Sequence, residues 1–594
     1  MTETLQHDTG RTGLGGASAL FAIRLATGLI QGLALYLLYL AADSRVWPET
    51  QPVVFGALAL AAGYVPVVVL AGVGRVKPLA LILWAAAAAG VLALLGAHDV
   101  ARQVLKPQEE PPFLSFPVLA FGAAALFIAH HLIVPGIRER RWIVDYPDYF
   151  DIAWKAGVQL ALSLGFTGAF WILLHLGAAL FKMIGLGFLQ HLLSEAWFAI
   201  PVTALVFATA VQLTDVRDGL IRGVRTVALM LLSWLLLVIT VLVGGFLLAL
   251  PFTGLDGLWE TRNATALVLS AAAALIVLIN TAYQDGRADN LPPVVLRFGV
   301  RVASVLIAPL IVLAAWGLGL RIGQHGLTPD RIIAVACTLV GAVYGAGYLL
   351  AAVKPGGWMK PLERTNVVAA VLSVLVISAL FSPLADPARL SVRDQVARLE
   401  RSAVSAQAFD YDFLKFESGK AGITALKQLS RSGSPQIRQL AREAQAKTDR
   451  YSMDLTDPAM MAATVPKVRL KPAPGEPAPP ASFMDQLGRL EPVLRDCASE
   501  IPCRTRTLDL NGDGRDDLLV SGRNIIMAFI LEADGRWFEH GRYRSNCPSR
   551  DESLLDPFAS GQIQVRPARL PDLVLNGEPL QSELSSGCPT DSNR

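Results

Sequence analysis

Eleven long apolar runs fill residues 17 to 382, and a polar chain follows them. A helix needs about 20 apolar residues to cross the hydrocarbon core of a bilayer. Only helices or closed barrels can satisfy their backbone groups there. The runs predict spans near 17–42, 52–73, 78–97, 113–135, 156–180, 197–213, 227–250, 264–282, 298–320, 332–353 and 366–382. The chain therefore reads as a polytopic α-helical membrane protein with an extracytoplasmic tail of α and small β structure. The first run is too long for a signal-peptide core and is read as an uncleaved first span. With a formal net charge of +3 over 594 residues, no nucleic-acid partner is implied.

Charge sets the topology, because cytoplasmic loops carry the Lys/Arg excess. With the N-terminus inside, sixteen basic residues fall on the inner side: Arg11, Arg75, Lys77, Arg138, Arg140, Arg141, Lys155, Arg217, Arg222, Arg225, Arg287, Arg297, Arg301, Lys354, Lys360 and Arg364. Seven fall outside: Arg45, Arg102, Lys106, Lys182, Arg262, Arg321 and Arg331. An odd number of spans then delivers the tail across the membrane, into the periplasm if the cell is bacterial. The stretch 184–197 is expected to lie on the surface as a short amphipathic piece.

The cysteines point the same way. Cys337 stands alone in an apolar span and is expected to be buried. Cys497, Cys503, Cys547 and Cys588 all lie in the tail, an even number that suggests two disulfides and an oxidising compartment. The expected pairs are Cys497 with Cys503 and Cys547 with Cys588. Zinc is the rival reading, but no Cys-x-x-Cys pair or nearby His supports a tetrahedral site.

Within the spans, a charge at the bilayer centre is costly and usually marks function. The sequence places none there. Arg24 lies near the inner end of the first span, where it is expected to snorkel. His130 and His131 sit near the inner end of the fourth. Gln159, Ser163, Thr167, Ser233 and Thr240 can hydrogen-bond helix to helix. A polar cavity lined by Gln159, His175 or the His pair would favour transport. At the inner boundary, Asp145, Asp148 and Asp151 mix with aromatics, Asp215 and Arg217 follow the sixth span, and Asp285 follows the eighth. These acids could form an inner-face site for a head group or cation. The favoured alternative is a solvated salt-bridge network that orients the helices.

Several segments carry a resemblance: YPDYFDIAWKAGVQLALSLGFTGAFW (146–171), WFAIPVTAL (197–205), LTDVRDGLIRGVRT (213–226), LPFTGLDGLW (250–259) and NTAYQDG (280–286). In that order they resemble a family of bacterial multi-pass membrane proteins known as a domain of unknown function, over roughly residues 17 to 420. The resemblance implies a bacterial inner-membrane location; the cytoplasmic N-terminus rests on the charge distribution. It supplies no reaction, substrate or catalytic residue.

The sequence divides into a cytoplasmic N-terminus (1–16), a transmembrane domain (17–384), an extracytoplasmic helical segment (385–463), a Pro-rich linker (464–483) and a disulfide-bonded β domain (484–594). In the helical segment, a capping box at Ser391–Asp394 predicts a helix to about Ser405, and Ser434-Pro435 opens another to about Thr448. A further helical stretch is expected near 418–431. In the β domain, Asp509, Asn511, Asp513 and Asp517 put side-chain oxygens at positions 1, 3, 5 and 9 of a calcium-type loop, with Gly514 at 6 and the Arg515 carbonyl at 7. Position 12 is Val520, so the bidentate Glu is missing and Ca2+ affinity should be weak. The DxNxDGxxD core resembles the loop repeats of integrin-type propeller blades, in a single copy. The alternative is a metal-free Asn/Asp/Gly turn.

No HExxH, GxSxG or P-loop pattern appears, which argues against an enzyme. The favoured reading is a membrane-embedded envelope scaffold or sensor. Its periplasmic calcium-binding-like domain would contact a protein or glycan. The alternative is a transporter or lipid-handling protein.

Overall fold

The computed structural model describes residues 14–104, 113–254 and 264–447 (apart from 217, 288, 290 and 356). In the C-terminal part it describes 468–490, 494, 497, 502–522, 525–532, 535–543, 555–560, 563, 573–575 and 578–580. The chain forms two compact units, Met1–Arg450 and Tyr451–Arg594.

The first unit is helical: α1 (Leu14–Asp43), α2 (Pro52–Gly72), α3 (Pro78–Ala101), α4 (Phe116–Glu139), α5 (Tyr146–Met183), α6 (Phe188–Ser194), α7 (Ala196–Val216), α8 (Asp218–Thr253), α9 (Ala264–Tyr283), α10 (Val294–His325), α11 (Pro329–Val353) and α12 (Pro361–Leu380). Among the described residues, eleven of these are long and apolar enough to cross a membrane. They match the predicted spans in order. Prolines open α2, α3, α4, α5, α11 and α12 at a position where a missing N–H is harmless. The surface piece is the short α6, with Leu193 buried and Phe188 exposed.

Two stretches read as inner loops are helical. Tyr146–Lys155 forms the first turns of α5, whose 38 residues would extend about 57 Å, well beyond a ~30 Å hydrocarbon core. Residues 213–216 belong to the end of α7 and residues 218–226 to the start of α8. The Cys337 expectation also needs correction. The residue is exposed on the surface of α11 and is not enclosed by protein.

Packing joins α1 to α7 and α2, α2 to α3, and α5 to α7. Helices α8 to α12 form a second group around Leu236, Leu275, Ile279, Val300, Ile307 and Leu310. Contacts of α12 with α4 and of α5 with α8 join the groups. The close approach of α1 and α7 has a local sequence cause. Gly28 and Gly32, a small-xxx-small pair on α1, face Ala204, Ala208 and Pro201 on α7. A Cβ at Gly28 would lie 2.5 Å from the Ala208 Cβ and 2.9 Å from the Ala204 carbonyl oxygen.

Four helices complete this unit: α13 (Pro387–Glu400), α14 (Tyr411–Phe416), α15 (Gly419–Leu429) and α16 (Pro435–Ala446). They pack around Leu399, Phe409, Leu414, Leu426 and Ala441. Helix α13 starts four residues before the expected capping box, because Asp386 is its N-cap and accepts the Ala388 N–H at 2.9 Å. Ser391 and Asp394 instead hold the α10–α11 turn. Ser391 Oγ donates to the Leu327 carbonyl at 2.9 Å, and Asp394 Oδ2 accepts the Leu327 N–H at 2.7 Å. Asp386 also meets His98 Nε2 of α3 at 3.2 Å. Burial alone would raise the Asp386 carboxyl. The His98 hydrogen bond, the Arg102 charge and the Ala388 N–H together hold it below the usual carboxylate range.

The second unit is a mixed sheet in the order β1 (Leu470–Pro472), β2 (Cys503–Leu508), β3 (Asp517–Ser521), β4 (Ile526–Leu531) and β5 (Trp537–Tyr543). Strand β1 runs parallel to β2; the other pairs are antiparallel. Leu470–Pro472 falls where the Pro-rich linker was expected, and Lys471-Pro472 lies at the sheet edge, where proline is tolerated. Short helices α17 (Ala481–Met484), α18 (Leu487–Leu490) and α19 (Leu555–Ser560) and a small hairpin, β6 (Leu573–Leu575) with β7 (Glu578–Leu580), complete it. Phe483, Leu518, Val520, Phe529 and Trp537 form the core. The Cys497–Cys503 disulfide is formed within that core, with Cα atoms 5.2 Å apart. Cys547 and Cys588 lie outside the described residues.

Overpacking the α1–α7 seam should be costly. Gly28→Leu is expected to destabilise the detergent-solubilised protein by about 1–3 kcal/mol, lowering its thermal midpoint. Gly63→Ala, where a Cβ meets nothing within 4 Å, should leave the midpoint unchanged or slightly raised. Equal loss in both variants would show that the close approach is not what holds α1.

Candidate functional site

The α1–α7 seam brings together residues far apart in sequence. Arg24 lies one turn before Gly28, and Gln212 and Asp215 lie one to two turns beyond Ala208. Antiparallel contact therefore sets the guanidinium against both side chains. Arg24 donates to Gln212 Oε1 at 2.5 Å and to Asp215 Oδ2 at 2.6 Å. Arg75, from the α2–α3 turn, donates to Asp215 Oδ1 at 2.9 Å and to Gln159 Oε1 at 3.2 Å. Gln159 in turn donates to the Val211 carbonyl at 3.0 Å. One carboxylate thus ties α1, α7 and the α2–α3 turn together, and Gln159 adds α5.

This corrects the expectation for Arg24. Its side chain does not snorkel to water; it is 3% exposed and ion-paired inside the bundle. The spans therefore do carry a buried charge, near the inner end. Each guanidinium compensates part of the desolvation of the shared carboxylate, as burying an ion requires.

His130 and His131 lie on α4, which packs against α3 and α5. Trp84 Nε1–H donates to His130 Nδ1 at 3.1 Å. His131 Nδ1 hydrogen-bonds the Phe127 carbonyl at 2.7 Å and is therefore the protonated nitrogen. Among the described residues, the buried polar atoms that lack a hydrogen-bond partner include Arg24 Nε, His131 Nε2 and Ser163 Oγ. Buried polar atoms of this kind are rare and call for an explanation. His175 takes no part; it is exposed on α5 and bonds the Trp171 carbonyl at 2.9 Å.

The inner-face acids do not form one site. Asp215 is held as described. Asp151 accepts from Arg225 at 2.5 Å, and that guanidinium stands 5.4 Å over the Phe150 ring. Asp285 pairs with Arg287 at 3.7 Å. Asp145 is the N-cap of α5 without a side-chain cap bond, and Asp148 sits in its first turn. Arg217 lies outside the described residues. Of the remaining mid-span polar residues, Ser233 reaches across helices, to the Thr281 carbonyl at 2.9 Å. Thr167 and Thr240 bond carbonyls of their own helices.

A second polar centre joins the two helix groups. Tyr146 donates to Asn280 Oδ1 at 3.2 Å, and Asn280 Nδ2 donates to Tyr348 at 2.8 Å. Tyr348 donates to Asn366 Oδ1 at 2.6 Å, and Asn366 Nδ2 donates back to Tyr146 at 3.0 Å. The ring closes through α5, α9, α11 and α12, with its members satisfied, as a stabilising buried network must be. Asn280, Tyr348 and Asn366 lie on three different helices, so no local pattern pairs them. The available signal was an amide in each of two apolar runs.

In the second unit, Asp509 to Asp517 fold as a tight loop between β2 and β3. Asp509 accepts the Gly512 and Gly514 N–H groups at 2.7 and 3.0 Å. Asn511 accepts the Asp513 N–H at 3.0 Å, and Asp513 accepts the Arg515 N–H at 2.8 Å. Gly512 and Gly514 take positive φ of 77° and 78°, which the turn requires of glycine. Asp517 is buried at the start of β3 and accepts the Leu510 N–H at 3.0 Å. Burial first, and then the charges of Asp513 and Asp509, raise its carboxyl above the ordinary value. Val520 points into the sheet core and provides no ligand. Among the described residues, no group of three or more His, Cys, Asp or Glu is arranged to hold a metal.

A family model described as Domain of unknown function (DUF4153) matches residues 54–429, from α2 to the last residue of α15. No curated protein and no solved structure matches the chain.

Removing the shared carboxylate should expose its role. Asp215→Asn is expected to cost about 3 kcal/mol in stability, because it leaves buried guanidinium charge uncompensated. Adding Arg24→Met should recover part of that loss, so the double variant melts above the additive expectation. Strict additivity would mean the two side chains are energetically independent.

Proposed function

The chain belongs to the DUF4153 family, whose matched segment ends before the β module begins; on that premise we propose an inner-membrane scaffold or sensor of the bacterial envelope. The membrane unit anchors, and the C-terminal module reads the extracytoplasmic side. The observation that carries this reading is the disulfide Cys497–Cys503, which lies in the core of the module bearing the Asp509–Asp517 loop. Disulfides persist in oxidising compartments. The distribution of Lys and Arg among the loops supports the same sidedness.

The loop is the reading element of this proposal. Asp509, Asp513 and Asp517 share this loop, and burial first, then the charges of Asp513 and Asp509, disfavour ionisation of Asp517. A Ca2+ ion would relieve that repulsion and take oxygens from Asp509, Asn511, Asp513, the Arg515 carbonyl and Asp517. The module would then be most rigid when the cation is abundant, and its protein or glycan contacts would follow.

A second reading, transport or lipid handling, is favoured by one observation: the Arg24–Asp215–Arg75 cluster with unpartnered atoms of Arg24, His131 and Ser163 beside it. Intramembrane ionisable residues commonly mark solute paths. Under this reading, Arg75→Gln would abolish uptake of an anionic solute into proteoliposomes while leaving calcium responses intact.

The scaffold reading is tested on the full chain by hydrogen–deuterium exchange. With calcium at about ten times the weakest affinity of extracellular modules (on the order of 10 mM in total), amides of residues 503–531 should exchange roughly tenfold more slowly. Asp509→Ala should remove the effect. Unchanged exchange in the unmutated protein would dispose of the cation-reading role.

A further inference from the structure

Helix α13 has two faces. Ser391, Asp394, Gln395 and Arg398 bond the α10–α11 turn through the backbone of residues 323–327. The opposite face meets α15 across an open groove of about 590 Å³. Its floor is apolar, with Val392 and Ala425 buried and Val396 and Ala421 beside them. Its rim carries Arg389, Arg393 and Lys420 against one acid, Glu400. The three cationic side chains have no hydrogen bond or ion pair among the described residues, in contrast to Arg24, Arg75, Arg102 and Arg225 of the same unit.

Arg389 and Arg393 stand four residues apart on one helical face, where like charges repel. An anion placed between them would turn that repulsion into two charge-assisted hydrogen bonds, and guanidinium groups match phosphate oxygens well. The groove also sits at the membrane boundary. Helix α13 begins seven positions after the last residue of the spanning helix α12. The first turn of α15 is tied to the end of α3, where the Lys420 N–H donates to the Arg102 carbonyl at 3.0 Å. Both walls therefore adjoin the ends of helices long and apolar enough to span a membrane, and lipid phosphates lie at the ends of such spans.

We propose that this groove holds the head group of an anionic phospholipid from the adjoining leaflet. Arg389, Arg393 and Lys420 take the phosphate, and the Val392–Val396–Ala421 floor takes the glycerol and the first methylenes. Charge, an apolar floor and position together favour a lipid over a soluble anion, which would need no such floor. The site depends neither on the second unit nor on which side of the membrane it faces.

The test uses the full chain, purified in neutral detergent, with phosphatidylglycerol as the probe and native mass spectrometry as the readout. The unmutated protein should retain phosphatidylglycerol in preference to phosphatidylcholine. Each cation removed should weaken retention roughly fivefold, and the triple variant Arg389→Gln, Arg393→Gln, Lys420→Gln about a hundredfold. A control lacking Lys427, Arg431 and Arg442, exposed cations outside the groove, should bind normally. Thr424→Glu removes no cation and places a carboxylate in the groove; it should also release the lipid, and it decides the matter if the triple variant does not fold. Retention by both groove variants, or equal loss in the control, overturns the proposal. Complete displacement by inorganic phosphate at the same concentration as the lipid overturns it too, in favour of a free-anion site. So does binding of an acidic peptide with no lipid retained.

Discussion

A guanidinium among apolar helices must find a carboxylate or leave the bundle, and the geometry of the first helix group follows from that constraint. Asp215 meets it for two arginines at once. Arg24 can reach it because Gly28 and Gly32 let α1 lie directly on the small residues of α7. Arg75 reaches it because the α2–α3 turn carries it over the end of α7. In lipid there is no hydrophobic force to press helices together, so close van der Waals contact and specific polar bonds must do so. Here the two devices lie on one seam. The glycines determine how near the helices come, and the ion pair determines which turn meets which.

The membrane architecture was legible in the sequence because hydrocarbon permits so few backbone solutions. Eleven apolar runs became eleven helices, and even the non-spanning piece near Phe188 was visible as an interrupted apolar pattern. Helix limits were less legible. Tyr146–Lys155 is polar enough to suggest a loop, yet Pro147 starts a helix there and the acids lie at its positive end, where they are favoured. The capping box at Ser391 had the right residues in the wrong role: Asp386 with Pro387 made the stronger start, which freed Ser391 and Asp394 to bond the α10–α11 turn.

Side-chain partnerships were the least legible layer. Arg24 and Asp215 are 191 positions apart, and nothing in the local pattern of either names the other. Arg24 near a span end satisfies the ordinary rule for snorkelling. The rule fails because the helix face that bears it is the glycine face, which is covered. The Tyr146–Asn280–Tyr348–Asn366 ring shows the same limit. Each member is ordinary within its own helix, and only the assembly of four helices gives the ring its closed set of donors and acceptors. In the C-terminal module, by contrast, the Asp509–Asp517 turn was readable because its determinants are contiguous.

The small disulfide has a bearing on mechanics. It spans six positions, so closing its loop restrains little of the unfolded chain. Its place in the sheet matters more. Arg469, just ahead of β1, donates its N–H to the Cys497 carbonyl at 3.0 Å and accepts the Cys503 N–H at 2.9 Å. The two sulfur-linked residues thus grip the incoming peptide like a clasp, at the point where the chain enters the sheet. A pull on the backbone ahead of β1 is borne first by a three-residue edge strand and by this clasp, so cutting the bond would loosen the entry to the sheet rather than melt the module.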